Sequence, residues 1–255
     1  MKILLTGSNG FIGSYLLEHL RGVSDNQIIA AYRNDRPKLD ASSAASIEPL
    51  RLDLSTPLSQ VEPVDVIIHA AAHTNLFPGS TAEDYIQSNV VGTQNMADYA
   101  KSSGVGLFIY ISTISMYGDA LYEELDEESP INNPSIYGLT KYMGEVVLKE
   151  HSGDFPSLCI RLPGVVGPGY FRPWVGRVLE KALKNEPICI YNPKFKFNNV
   201  VHLADIARFI TGVTQVGARG FDNVNLATVD PMSVYDVAKL IISLTGSQSQ
   251  IIEHS

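Results

Sequence analysis

Tyr137 and Lys141 stand four residues apart in Tyr137-Gly138-Leu139-Thr140-Lys141, within a stretch of helical period, Ile136–Glu150. That spacing puts the phenol and the ammonium on one helix face, one turn apart. A free tyrosine has a pKa of ~10, too high to exchange protons readily near neutrality. A lysine cation beside it favours the phenolate. Tyr137 is therefore a candidate general acid/base, with Lys141 as its electrostatic helper. Ser112-Thr113-Ile114-Ser115-Met116-Tyr117-Gly118 closes an apolar run, and Thr113 precedes Tyr137 by 24 residues. A hydroxyl at the C-terminal end of a strand opens onto the crevice where ligands bind in open α/β sheets. Thr113 is the candidate to hydrogen-bond a reacting oxygen and share its proton with Tyr137, with Ser112 and Ser115 as competing assignments.

Thr6-Gly7-Ser8-Asn9-Gly10-Phe11-Ile12-Gly13 follows the first apolar run and opens the first amphipathic stretch. Gly7 permits the tight turn, Gly10 lets the backbone approach a pyrophosphate, and Gly13 allows close helix–strand packing. Free N–H groups and the positive dipole end of the helix then face the phosphates. This pattern predicts a bound dinucleotide. An oxidised nicotinamide ring would add a second positive charge beside the phenol, and alcohol–ketone interconversion by hydride transfer becomes the expected chemistry. A carboxylate about 20 residues past the motif holds the ribose 2′-hydroxyl of NAD, whereas an arginine accommodates the 2′-phosphate of NADP. Position 33 is Arg33, which favours NADP over NAD, although Asp35 could reach the ribose through a different bend of the loop. Asp53-Leu54 follows the third apolar run, where Asp53 could accept the adenine amino group or simply cap a turn.

These groups need a frame. Strands are expected at Lys2–Thr6, Ile28–Tyr32, Pro49–Leu52, Val64–Ala70, Leu107–Ser112 and Ser157–Leu162, with helices at Phe11–Arg21, Glu83–Ser102 and Ile136–Glu150. Several of the strand runs are nearly continuous in apolar residues, as strands covered on both faces must be. Alternation of the two types predicts an α/β fold, a doubly wound parallel sheet of Rossmann type. After Leu162 the texture changes to a breaker-rich loop, Pro163–Gly169. Helices are then expected at Val175–Lys184, Leu203–Val213 and Ser233–Thr245, and short strands near Ile188–Tyr191, Asn198–His202 and Asn223–Leu226. The expected division is a dinucleotide-binding domain over 1–163, with return segments around 198–227, and a smaller substrate-binding lobe over 164–255.

Composition bounds the function. The 255 residues are 45% hydrophobic and 18% charged, which suits a packed core rather than a disordered chain. A net charge of −8 makes the chain a poor partner for phosphate polymers, so nucleic-acid binding is not expected. No run approaches the ~20 apolar residues of a membrane span, and the N-terminus lacks the pattern of a signal peptide, so a cytoplasmic protein is expected. Cys159 and Cys189 form no CxxC and lie in apolar runs, as buried reduced thiols would. No His/Cys/Asp/Glu set has metal-ligand spacing, and no metal is expected. The acidic run Glu123–Glu128 reads as a solvated loop. His73 is a candidate substrate contact, His69 a packed strand-end residue and His202 a satisfied core residue. Tyr170, Arg172 and Trp174 could line the substrate lobe.

TGxxGFIG at Thr6–Gly13, His69-Ala70-Ala71-Ala72, Asn89-Val90-Val91-Gly92-Thr93, STISMYG and YGLTK together resemble the extended short-chain dehydrogenases/reductases. More narrowly, they resemble the NAD(P)-dependent epimerase/dehydratase group acting on nucleotide sugars. Arg161–Gly169 resembles that family's loop flanking the nicotinamide, and Asn198–Ile210 its later strand–helix return. The likeness implies that Thr113, Tyr137 and Lys141 match the catalytic positions, and that Lys141 also contacts the nicotinamide ribose. It implies cofactor contacts from Asn9, Phe11, Ile12, Ala70, Ala71, Ala72, Asn89, Pro163 and Val165. It further implies a homodimer formed through the helices Glu83–Ser102 and Ile136–Glu150. The expected activity is C4 epimerisation or 4-keto reduction of a nucleotide-linked hexose; reduction of a small non-nucleotide ketone or aldehyde, and a non-catalytic cofactor sensor, are the alternatives. Three departures stand out. Ile114-Ser115 replaces the Asp-Glu pair of the family's dehydratases, which argues against elimination of water. Lys194-Phe195-Lys196 stands where many epimerases carry an arginine for the substrate diphosphate, and a lysine lacks the forked contact. The chain also ends at Ser255, before the tail in which relatives often add another phosphate contact.

Overall fold

The computed structural model describes residues 1–23, 25–37, 47–58, 61–74, 78–119, 124–169 and 172–254. In chain order the elements are β1 (Lys2–Thr6), α1 (Phe11–Arg21), β2 (Gln27–Tyr32), β3 (Ile47–Arg51), β4 (Val66–His69), α2 (Ala82–Tyr85), a π turn (Ile86–Val91) and α3 (Gly92–Ser103). They continue with β5 (Leu107–Thr113), a 3₁₀ turn (Ile114–Tyr117), α4 (Ile136–Glu150), β6 (Ser157–Leu162), β7 (Gly164–Val166), α5 (Trp174–Leu183) and β8 (Ile188–Tyr191). The chain closes with β9 (Lys196–Phe197), β10 (Val200–His202), α6 (Leu203–Val216), β11 (Phe221–Asn225), β12 (Met232–Ser233), α7 (Val234–Thr245) and β13 (Ile251–His254).

Two compact units form. The first comprises Met1–Arg161 and Ala207–Asn225. Its seven-stranded parallel sheet runs β11-β6-β5-β4-β1-β2-β3. Residues alternate between its faces, and both faces are covered. Leu4, Ile67, Phe108 and Tyr110 pack with Met96, Ala97 and Ala100 of α3 and Leu148 of α4. That double covering is why the strands carry nearly unbroken apolar runs. Pro49 sits in β3, the edge strand, where a missing N–H costs no ladder bond. The winding reverses between β1 and β4, so the ends of Thr6 and His69 mark the crevice where such sheets bind ligands.

The second unit comprises Leu162–Ile206 and Leu226–Ser255. Val178 and Ala182 of α5, Ile188 and Ile190 of β8 and Ala238 of α7 form its core. Three two-stranded sheets, β10–β7, β12–β9 and β13–β8, replace the single large one. Two expectations are corrected here. Cys189 is exposed, because only one face of β8 is covered: Ile188 and Ile190 point in, Cys189 and Tyr191 out. His202 is exposed rather than a core residue, and its Nδ1 accepts the Ala204 amide at 3.1 Å where α6 begins. Trp174 is spent on packing within this unit, its ring 4.9 Å from that of Phe197. Among the described residues, no helix is long and apolar enough to cross a membrane.

Candidate active site

The crevice at the sheet reversal is a cleft of about 690 Å³. Its floor is the glycine turn. Gly7 has φ +68°, and a Cβ there would lie 2.7 Å from the Ala71 amide nitrogen, so only glycine fits between β1 and the loop after β4. A Cβ on Gly13 would overlap the Gly7 carbonyl, which is how closely α1 approaches the turn. Gly10 caps α1 with no side-chain hydrogen bond of its own, and the helix that begins at Phe11 and Ile12 presents its positive dipole end at the turn, which favours an anion. Of the residues singled out from sequence, Gly7, Asn9, Gly10, Arg33, Asp53, Leu54, Ala70, Ala71, Ala72 and His73 line this cleft. Size, glycine backbone and helix N-terminus all fit a dinucleotide.

Beyond the glycine turn, Arg33 and Asp35 both line the cleft. The Asn9 amide donates to the Asp35 carbonyl, and Arg51 Nε donates to the Arg33 carbonyl at 3.2 Å. Asp53 is both a turn residue and a wall of the cleft: Oδ1 accepts Ser55 N at 3.0 Å and Ser55 Oγ at 2.8 Å. Those bonds hold its carboxyl below the usual carboxylate range.

Under the loop after β4 lies a directed chain of buried hydrogen bonds. The Thr93 hydroxyl donates to the Asn89 carbonyl at 2.7 Å, so its oxygen accepts from His69 Nε2–H at 3.2 Å. His69 Nδ1 then accepts from the Thr6 hydroxyl at 2.6 Å, and Thr6 Oγ1 accepts from the Ala71 amide at 3.2 Å. His69 is thus the packed strand-end residue expected. Burial, with the Lys141 charge adding to it, pushes its pKa down to about 3, so the ring is neutral. Asn89, buried on the π turn, does not line the cleft. Its side chain accepts His73 N at 2.7 Å and donates to His73 O at 3.0 Å and to Thr140 Oγ1 at 3.1 Å, tying the loop to α4. His73 Nε2 also meets Ser80 Oγ at 2.7 Å.

The proton-transfer candidates lie beside this floor, outside the cleft lining. Thr113 N-caps the 3₁₀ turn, its Oγ1 accepting the Ser115 amide and donating to Ser115 Oγ, both at 3.2 Å. A Cβ on Gly138 would overlap the Ser115 carbonyl, so the first turn of α4, with Tyr137, packs directly on the turn that follows Thr113. Ser112 is removed from the competition: its hydroxyl donates to the buried Glu145 carboxylate at 2.5 Å. Lys141 is buried, and burial drives its pKa down to about 7. Its Nζ lies 3.8 Å from the centre of the Tyr110 ring.

One turn further along α4, Glu145 meets Arg161 in a buried ion pair, with Arg161 NH2 to Oε2 at 2.8 Å and Nε to both oxygens. Arg161 NH1 also donates to Tyr117 Oη at 2.7 Å and to the Glu127 carbonyl at 3.0 Å. The acidic run is therefore only partly solvated: Glu127 Oε1 accepts the Asn225 amide at 2.6 Å. Sequence reasoning missed Tyr110, Glu145 and Arg161 as a group. The available signal was the spacing of Gly138, Lys141, Glu145 and Leu148, which marks the buried stripe of α4.

Pro163, Val165 and Arg172 belong to the second unit, where Val165 pairs with Val201 and Arg172 is exposed. Tyr170 lies outside the described residues. Among the described residues, no three His, Cys, Asp or Glu side chains are grouped to hold a metal ion.

Comparison with known proteins agrees with this geometry. The chain is 28% identical to a dTDP-D-glucose 4,6-dehydratase of Mus musculus over 98% of its own length and 75% of that protein's. It is 26% identical to a dTDP-4-dehydro-6-deoxy-D-allose reductase of Streptomyces bikiniensis, over 98% and 82%. MoeE5, solved in complex with UDP-glucose and NAD, superposes with a TM-score of 0.81 at 26% identity, covering 100% of this chain and 85% of that one. The family model described as NAD dependent epimerase/dehydratase family matches residues 3–227, and the chain belongs to that family.

Proposed function

We propose that the protein is an NAD(P)-dependent oxidoreductase that epimerises C4, or reduces a 4-keto group, of a nucleotide-linked hexose. The observation that carries this reading is the close packing of α4 on the turn after Thr113, beside a cleft of dinucleotide size. A nicotinamide cofactor bound there would supply the hydride acceptor or donor. Tyr137 moves the proton of the reacting hydroxyl, Thr113 steadies the oxygen, and Lys141 supplies the positive charge that favours the phenolate. The anion-accepting turn of Gly7, Gly10 and the α1 N-terminus holds the pyrophosphate, and Asn89 keeps the loop above it in register with α4. Arg33 at the cleft wall supports a preference for NADP. Dehydration is disfavoured, since Ile114 and Ser115 stand where an acid and a base would be needed.

The test mixes the protein with NADPH or NADH and a panel of nucleotide sugars, 4-keto forms included. Stoichiometric loss of reduced cofactor identifies a ketoreductase, and isomer conversion without net loss identifies an epimerase. In either case Tyr137→Phe is expected to lose about 10²–10⁴-fold in turnover while still binding cofactor. Turnover unchanged in Tyr137→Phe, or silence across the whole panel, sinks the reading.

A homodimer belongs to the same proposal. Ile136, Leu139, Met143 and Val146 form an exposed apolar stripe along α4, and Ile86 is exposed on the π turn. Sedimentation equilibrium should return twice the chain mass, and a monomer at micromolar concentration would refute it.

A further inference from the structure

Lys141 presents a problem of electrostatics that its own helix does not solve. Its side chain is fully buried, and among the described residues no carboxylate stands within salt-bridge reach of Nζ. Glu145, the nearest carboxylate on α4, is committed to Arg161 and Ser112. A buried ammonium without a partner normally surrenders its proton or relocates to water. What faces this one is the ring of Tyr110, 3.8 Å from Nζ to centroid.

The surroundings hold that ring in place. Tyr110 is 0% exposed in the middle of β5, and its hydroxyl donates to the Lys141 carbonyl at 3.3 Å. A Cβ on Gly144 would overlap the Tyr110 hydroxyl, so glycine one turn along α4 is what lets helix and ring come this close. The neutral His69 ring flanks Tyr110, with centroids 5.5 Å apart. The same residue therefore grips the lysine twice, by its backbone through the phenol and by its ammonium through the ring face.

We propose that Tyr110 is the positioning residue for Lys141, its π face holding the lysine charge in place of a carboxylate. The inference rests on the assignment of Lys141 to the proton-transfer set, but the contact itself does not. A cation over an aromatic face is attracted by the ring's quadrupole, and more strongly once it is desolvated. That attraction keeps the ammonium form in use without fixing it as firmly as an ion pair would. A lysine held this way stays able to redirect its charge toward a phenol or a ribose hydroxyl.

The experiment follows the ε-carbon NMR signal of Lys141 with pH in protein carrying labelled lysine, the signal being assigned by its loss in Lys141→Met. Other groups that titrate or carry charge around it are His69 on β4, Cys159 and Arg161 on β6, and Tyr137 and Glu145 on α4. These are unchanged across the series, so differences report position 110. Tyr110→Phe keeps the ring and removes only the hydroxyl, and trifluoro- and pentafluorophenylalanine at position 110 keep the shape while draining the π face. The expected result is an acid dissociation constant of Lys141 within about twofold of wild type in Tyr110→Phe, rising by about tenfold in the pentafluoro protein with the trifluoro protein between. Equal midpoints for Phe and the fluorinated rings overturn the proposal, as does a shift in Tyr110→Phe as large as the pentafluoro one. The trifluoro protein carries the test if the pentafluoro chain does not fold. NADH binding by fluorescence in the same variants separates the two readings. A shifted midpoint with binding and turnover unchanged leaves Tyr110 as the seat of Lys141 and removes Lys141 from the reaction.

Discussion

Lys141 and Glu145 lie one turn apart on the buried stripe of α4, and the protein treats their charges in opposite ways. Glu145 is saturated: Arg161 approaches with two nitrogens and Ser112 with its hydroxyl. Burial works against the Arg161 charge, yet the hydrogen bonds and charge of Glu145 outweigh it, so that guanidinium holds its proton more firmly than a free arginine. Lys141 faces a ring and, among the described residues, no carboxylate, and burial draws its pKa to about 7. A saturated pair fixes geometry. A charge left under-compensated, next to a cleft, can change state or partner, which is the usual condition of a working group. One helix thus carries within a single turn an anchor and the charge we propose as a tool.

The comparison breaks first at the anchor. Arg161→Met removes one partner of the buried pair and strands the Glu145 carboxylate, and it also frees Tyr117 and the Glu127 carbonyl from the guanidinium. The expected loss is about 3–5 kcal/mol in urea unfolding. A loss under about 1 kcal/mol would mean that Glu145 reaches water on its own, and the anchor would be no anchor.

The tool should show the reverse sign. The folded pKa of Lys141 lies below its unfolded value of 10.5, so folding expels a proton from the site. The penalty is full below about pH 7 and is relieved as pH rises from about 7 toward 10.5. Lys141→Met abolishes it. The variant should therefore be more stable than the wild type below pH 7, with the gap closing as pH rises toward 10. A variant less stable than wild type at pH 6 would show that the ring and its surroundings compensate the charge fully.

Much of this frame is legible in the sequence, and the parts that are not share a cause. β1, α1, α4, β6 and β8 run over the residues that apolar periodicity and glycine punctuation predict. Local pattern determines these elements, so local pattern reveals them. β7, three residues inside what reads as a Pro/Gly loop, exists because Val165 pairs with Val201, 36 residues away. The helix expected over Glu83–Ser102 is interrupted by the π turn that carries Asn89, and no propensity marks it. At the site, the glycine turn and the Tyr137–Lys141 spacing can be read directly. Tyr110 lies 31 residues from Lys141 in the chain and looks like any apolar strand residue until α4 is laid across β5.

The smallest effect concerns His69, a second group that burial keeps uncharged, and it separates a wired neutral group from the bare charge of Lys141. Its folded pKa of about 3 lies below the ordinary 6.5, so the unfolded chain binds the extra proton and stability falls as pH drops through 6.5 toward 3. At pH 5.5 the loss from this residue alone should be about 1 kcal/mol relative to pH 7.5. His69→Gln keeps one donor and one acceptor for Thr93 and Thr6 but does not titrate. Its unfolding free energy, measured by urea at half-unit steps from pH 7.5 to 5, should fall more shallowly than that of the wild type, even if its absolute value is lower. Parallel slopes would show that His69 takes up its proton in the folded state, which requires the chain from Thr6 to Thr93 to reverse a donor. The imidazole would then be a second titrating group beneath the cleft rather than a fixed link in its floor.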